Sequence, residues 1–182
     1  MVAKLTYTAN QATSITQFHA VLGAYLGARA DVGDRLTSLL SDEPDMPMAV
    51  CLQGYLLKLA AHPKFATPLQ TFVEQAQKIA ADKQCNDREQ QHIQALSAWA
   101  SGQDLEALHI LEDILVTHPA DMCALRIAHY LHFYQGVGSK MLASTERVRS
   151  SWQAGDDHFG YFLGMHAFGL EESGNLDAAE RI

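Results

Sequence analysis

Apolar residues recur along this chain at spacings of three and four, and no stretch keeps the strict alternation of a half-buried strand. The pattern therefore predicts helices throughout. Ser14 and Thr16 are placed to cap a first helix whose face carries Phe18, Val21, Leu22 and Tyr25 and which ends near Gly27. Asp31 and Asp34 open a second helix through Leu36, Leu39 and Leu40, and the polar, proline-bearing stretch SDEPDMP at 41–47 stops it. A third, over 48–61, carries Val50, Leu52, Leu56, Leu57 and Leu59 and closes at His62 and Pro63. A fourth has Pro68 near its start, with Leu69, Phe72, Val73, Ala76 and Ile79 at helical spacing, and residues 81–87 read as a connector.

Beyond Arg88 the pattern acquires a longer period. In SAWASGQDLEALHILEDILVTHPAD, Gly102 breaks a helix ending at Ala100, Ala107 lies five residues later, Leu111 four after that, and Pro119 ends the second helix. Gly136 follows Gly102 by 34 residues with Met141 five beyond it, and Gly174 follows Gly136 by 38 with Ala179 five beyond. A repeat of two antiparallel helices joined at a glycine, with a period of about 34 residues, is the tetratricopeptide signature. The glycine permits the left-handed backbone that ends the first helix, and a small residue in the second lets the two helices approach. Met141 is larger than the alanine usual at its position, and the extra residues before Gly174 imply a longer connection over 152–158, so the middle unit should deviate from the ideal. The expected fold is all-α, a tetratricopeptide-like right-handed α-solenoid of antiparallel helix pairs in one domain over 1–182. It divides into N-terminal helices over 1–45, an atypical pair over 46–87, repeats over 88–121 and 122–158, and a truncated repeat over 159–182.

Composition narrows the partners. A hydrophobic fraction of 48% with five prolines belongs to an ordered chain, and 13 Lys and Arg against 21 Asp and Glu leave a net charge of −8. That charge repels phosphate backbones and anionic lipid surfaces, so neither nucleic acid nor membrane is an expected partner. The start MVAKLTYTAN lacks the apolar core of a secretion signal, and the apolar run at 20–30 is short and interrupted by Gly and Arg, which leaves a cytoplasmic location as the expectation. Cys51, Cys85 and Cys123 are odd in number and far apart, which predicts buried thiols rather than disulfides or a zinc knuckle.

The string RIAHYLHFYQG, followed by MLASTERV and then GYFLGMHAFGLEESGNLDAAE, resembles the tetratricopeptide repeat protein 38 family, and the likeness extends upstream through CLQGYLLKLA to cover residues 46–182. Members of that family are cytosolic helical proteins more than twice this length. The resemblance thus implies a fragment, or a chain that covers its unfinished C-terminal end by self-association as a homo-oligomer. It supports the fold and names no cofactor.

If the pairs stack as such repeats do, the first helix of each lines a concave groove. Carried across by the glycine registers, the groove side takes Glu89, His92, Leu96 and Trp99, then Cys123, Arg126, Tyr130, Phe133 and Tyr134, then Tyr161, Phe168, Glu171 and Glu172. The packed side takes Leu125, Ala128, His129 and His132, with His166 and Ala167 from the next unit. Buried imidazoles need hydrogen-bond partners, so His129 and His132 should be tied to a carboxylate, carbonyl or hydroxyl. The leading function is a non-catalytic scaffold that binds a protein or peptide, with Tyr130, Phe133, Tyr134 and Trp99 supplying apolar area and Arg126 and Glu171 selecting charge. The alternative is part of a metal-dependent hydrolase, with His129, His132 and either His166 or Glu171 as ligands and Glu171 or Glu172 as base, its site completed by further C-terminal repeats. The H-x-x-H spacing lacks the intervening Glu of the H-E-x-x-H motif, and no phosphate-binding loop or nucleophile elbow occurs.

Overall fold

A computed structural model describes residues 5–82 and 84–182. Residues 1–4, at the head of the expected N-terminal segment, and Lys83, in the expected connector, lie outside the described residues. Among the described residues there are ten α-helices and no strand. In order they are α1 (Ala12–Leu26), α2 (Val32–Asp42), α3 (Pro47–Leu59), α4 (Ala66–Ala81), α5 (Asp87–Ala100), α6 (Asp104–Thr117), α7 (Met122–Tyr134), α8 (Gly138–Val148), α9 (Phe159–Glu172) and α10 (Leu176–Ala179). Consecutive helices pack against each other, as in the pairs α1 with α2, α3 with α4, α7 with α8 and α9 with α10. The expected all-helical class is therefore what the chain adopts.

The three register glycines sit where the period puts them. Gly102, Gly136 and Gly174 each follow a helix and precede the next, with φ of +79°, +68° and +81°. A Cβ at those angles is strained, which is why the turn selects glycine. Ala107 and Met141, five residues on, are fully buried. The longer connection expected before α9 is present as a 3₁₀ turn (Arg149–Ser151) followed by a loop in which Gly155 and His158 take positive φ.

By packing, the chain divides into two compact units, one of Thr6–Ile110 and one of Leu111–Ile182 together with Leu5, the second division falling within α6. In the first, α3 is the most enclosed element: Met48, Ala49, Val50, Cys51, Leu52 and Tyr55 are buried, and α2, α4 and α5 all pack on it. Gly54 lets α5 come close, since a Cβ there would lie 2.6 Å from a Leu96 methyl. In the second unit α7 holds the core with Leu125, Ile127, Ala128 and Leu131, met by Met141 and Val148 of α8 and Phe162, Met165 and Leu170 of α9. Contact between α8 and α9 is closer still, because a Cβ on Gly138 would stand 2.3 Å from the Glu172 carbonyl oxygen and one on Gly169 would stand 3.2 Å from Leu142 Cα.

Both expected caps are corrected. Ser14 and Thr16 lie inside α1, whose N-cap position is Gln11. The N-terminal turn is instead held from a distance by Glu43, just beyond α2, whose buried carboxylate accepts from the Gln11 amide (2.9 Å), the Asn10 amide (3.2 Å), Asn10 Nδ2 (2.7 Å) and the Ser14 hydroxyl (3.0 Å). Burial raises the pKa of this carboxyl, but those donors outweigh it, so it sits below its ordinary value.

Candidate functional site

The sequence assigns α7 two faces, and the structure keeps them apart. Leu125, Ala128, His129 and His132 are buried, while Arg126 and Tyr130 are half-buried and Phe133 and Tyr134 are 43% and 68% exposed. This split follows from helical geometry, because positions 126, 130, 133 and 134 fall on one side of a 3.6-residue turn. The Arg126 guanidinium lies over the Tyr130 ring at 4.4 Å and donates to its hydroxyl (3.2 Å), and Tyr130 stacks on Tyr134 with centroids 6.0 Å apart. Neighbouring α9 carries the pattern onward: Phe168 meets Phe133 at 5.5 Å, Tyr161 is 40% exposed, and Glu171 and Glu172 are exposed at the end of the same helix. Within this unit the structure therefore brings Arg126, Tyr130, Phe133, Tyr134 and Phe168 together as an aromatic face on α7 and α9. Cys123, which the register placed with them, is buried.

The α5 set does not join a surface. Glu89, His92 and Trp99 were expected to face a groove and are buried instead, as is Leu96. The reason is what covers α5. Tyr55 of α3 places its hydroxyl against His92 (3.2 Å to Nδ1, 2.9 Å to the carbonyl it donates to) and its ring 6.1 Å from Trp99, and Leu96 fills the space left by Gly54. Glu89 closes a capping box with Asn86 and also accepts from Thr8.

The buried histidines are structural in their contacts. His132 Nε2 lies 2.8 Å from Glu112 of α6, whose other oxygen takes the Arg147 guanidinium of α8. With Arg147 balancing Glu112, His132 serves as an Nε2–H donor, and burial holds its pKa below the ordinary value, with Lys140 adding to the effect. His166 Nδ1 meets Thr145 at 3.0 Å and Nε2 faces Glu146 at 3.4 Å; burial again lowers its pKa, Glu146 opposing. His129 packs on Phe168 and is pushed down to about 4, by burial first and then by Arg126 and His132. Its Nδ1 meets no hydrogen-bond partner among the described residues, so the expected tie is made by His132 and is lacking at that atom of His129. The alternative metal set is not assembled, for no group of three or more His, Cys, Asp or Glu among the described residues is placed to hold an ion.

Two open clefts lie away from the aromatic face. One, of about 510 Å³ in the first unit, is lined mainly by amides and hydroxyls including Gln77, Gln90, Gln94 and Ser97; the other, of about 540 Å³ in the second, is walled by Trp152, Phe159 and Phe162 with Glu146 and Arg149 at its edge. Neither was legible in the repeat register, which assigns residues to helix faces and not to gaps between helices. Among the described residues no helix is long and apolar enough to cross a membrane. No family model matches the chain, and no solved structure matches it.

Proposed function

We propose that this chain is a helical-repeat binding module, a non-catalytic scaffold whose aromatic face on α7 and α9 takes a polypeptide partner. In this reading its helix pairs stack as a tetratricopeptide-like right-handed solenoid, in keeping with the resemblance to the tetratricopeptide repeat protein 38 family. The observation that carries it is the exposure of Phe133 and Tyr134 on α7 and of Tyr161 on the neighbouring α9, with Phe168 of α9 against Phe133 and the Arg126 guanidinium over Tyr130. Large aromatic side chains left in water at adjoining positions lose apolar stabilisation that a partner would restore, at about 25 cal/mol per Å² of surface covered. Aromatic and arginine side chains also dominate the energetics of protein interfaces. The contrast with the histidines favours binding over chemistry, since His132 and His166 are engaged by Glu112 and Thr145 inside the packing.

The test is selection of displayed peptides on the immobilised chain, counter-selected on the double variant Phe133→Ala, Tyr134→Ala. Peptides that bind the unaltered chain and lose at least about tenfold in affinity for the variant, about 1.4 kcal/mol, would support the reading. Peptides that bind both alike, with the variant's helicity unchanged, would move the site elsewhere.

A further inference from the structure

At the first turn of α5 two charged residues are almost wholly enclosed, Arg88 at 2% and Glu89 at 0% exposure. What encloses them on one side is a segment outside any helix, residues 6–8, that is itself open to solvent: Thr6 is exposed, and Tyr7 and Thr8 are half-buried. The segment is held through its backbone. The Thr6 carbonyl accepts from Arg88 Nη2 (2.8 Å) and Asn86 Nδ2 (3.3 Å), and the Thr8 amide donates to Glu89 Oε1 (2.8 Å). In an extended chain, groups two residues apart lie on the same edge, so these side chains read that edge as a neighbouring strand would. Two further contacts read side chains. The Thr8 hydroxyl donates to Glu89 Oε2 (2.6 Å), and the Tyr7 ring lies under the Arg88 guanidinium at 4.7 Å and against Phe18 and His19.

We infer that Asn86, Arg88 and Glu89 form a clamp for an extended polypeptide bearing a Tyr-Thr pair, that residues 6–8 are its resident occupant, and that it accepts the same sequence supplied by a separate peptide. Lifting the segment hydrates a guanidinium and a carboxylate, and the apolar contact given up is that of Tyr7 on Phe18 and His19, so this opening costs less than breaking open a wholly hydrophobic contact of similar area. Because the resident segment is tethered, it competes at an effective concentration on the order of millimolar, and a free peptide enters only when the tethered one is weakened.

The peptide LTYTANQ, residues 5–11, is the probe, and the full chain carrying Thr8→Pro is the receptor, since proline removes both the amide and hydroxyl donors of the resident segment. The variant is expected to keep its helicity and cooperative unfolding and to bind fluorescently labelled LTYTANQ at least about tenfold more tightly than the unaltered chain does. A peptide with proline at the Thr8 position, or the receptor with Glu89→Gln added, should bind at least about tenfold more weakly. A folded Thr8→Pro chain that ignores the peptide overturns the inference, and so does one that no longer unfolds cooperatively, because the segment would then be core and not ligand. Hydrogen exchange of the unaltered chain gives an independent arm: the Thr8 amide should exchange at least about 100-fold faster than that of Ile93 in α5, and equal protection would refute a detachable segment.

Discussion

Glu43 is buried among donors, so that its charge is held by two backbone amides, a side-chain amide and a hydroxyl of the segment that begins α1. Replacing it with Gln keeps the size but supplies a donor where four donors converge, and should cost about 1–3 kcal/mol in chemical denaturation. The charged form is favoured in the fold, so this contribution is present above the ordinary carboxyl pKa of 4.5 and is lost as pH falls from there through the lower value the group has in the fold. The histidines act at higher pH. His129 titrates near 4 in the fold against 6.5 when free, so the unfolded chain binds the proton first and stability falls as pH drops from 6.5 toward 4, by on the order of 2–3 kcal/mol from this residue. His129→Phe should make that limb of a stability-versus-pH curve shallower, the remainder coming from His132 and His166, while leaving the Glu43 limb below 4.5 in place. A curve that keeps its slope between 6.5 and 4 in the variant would remove His129 as its source. The inward orientation of His129 was readable from the repeat register. The role of Glu43 was not, because its partners lie 29 to 33 residues away and nothing local marks a carboxylate as a distant cap.

Among the helices, the glycines separate into kinds that sequence does not distinguish. Gly102, Gly136 and Gly174 were readable because a recurring turn needs positive φ. Gly138 and Gly169 were not, since their demand comes from the crossing of α8 and α9 and is visible only once those helices are side by side. A Cβ at Gly138 would meet backbone, which cannot rotate away, so Gly138→Ala should destabilise by about 2 kcal/mol or more despite alanine's better helix propensity. Gly164, also helical, has nothing within 4 Å of its would-be Cβ, and Gly164→Ala should be neutral or stabilising by up to about 1 kcal/mol. Urea titrations of the two single variants decide the matter, and equal effects would contradict the close crossing. The helix-face assignments had a similar limit: on α7 the residues 126, 130, 133 and 134 lie on the more open side while Cys123, given the same side, is buried, and on α5 the expected outer residues are covered by α3 and the segment at 6–8.

Across the chain, three histidines whose pKa burial depresses, His129, His132 and His166, share the unit that holds α7, α8 and α9. Lowering the pH from 7 to 5 should therefore loosen α7, α8 and α9 before α3, α4 and α5, which hydrogen exchange at the two pH values would register as a selective loss of protection. Equal loss in both units would mean that other groups govern the acid response. The proposed binding face lies in that same unit, so capture of a partner should weaken over this pH interval as well, to a degree that tracks the lost protection.

The chain's two tryptophans fall one to each unit, Trp99 on α5 and Trp152 after α8, and both are enclosed, the second stacked on Phe162 at 5.4 Å. Each half thus carries its own indole emitter. With Trp99→Phe or Trp152→Phe as the background, the remaining emission spectrum reports the melting of one half at a time, without any added dye.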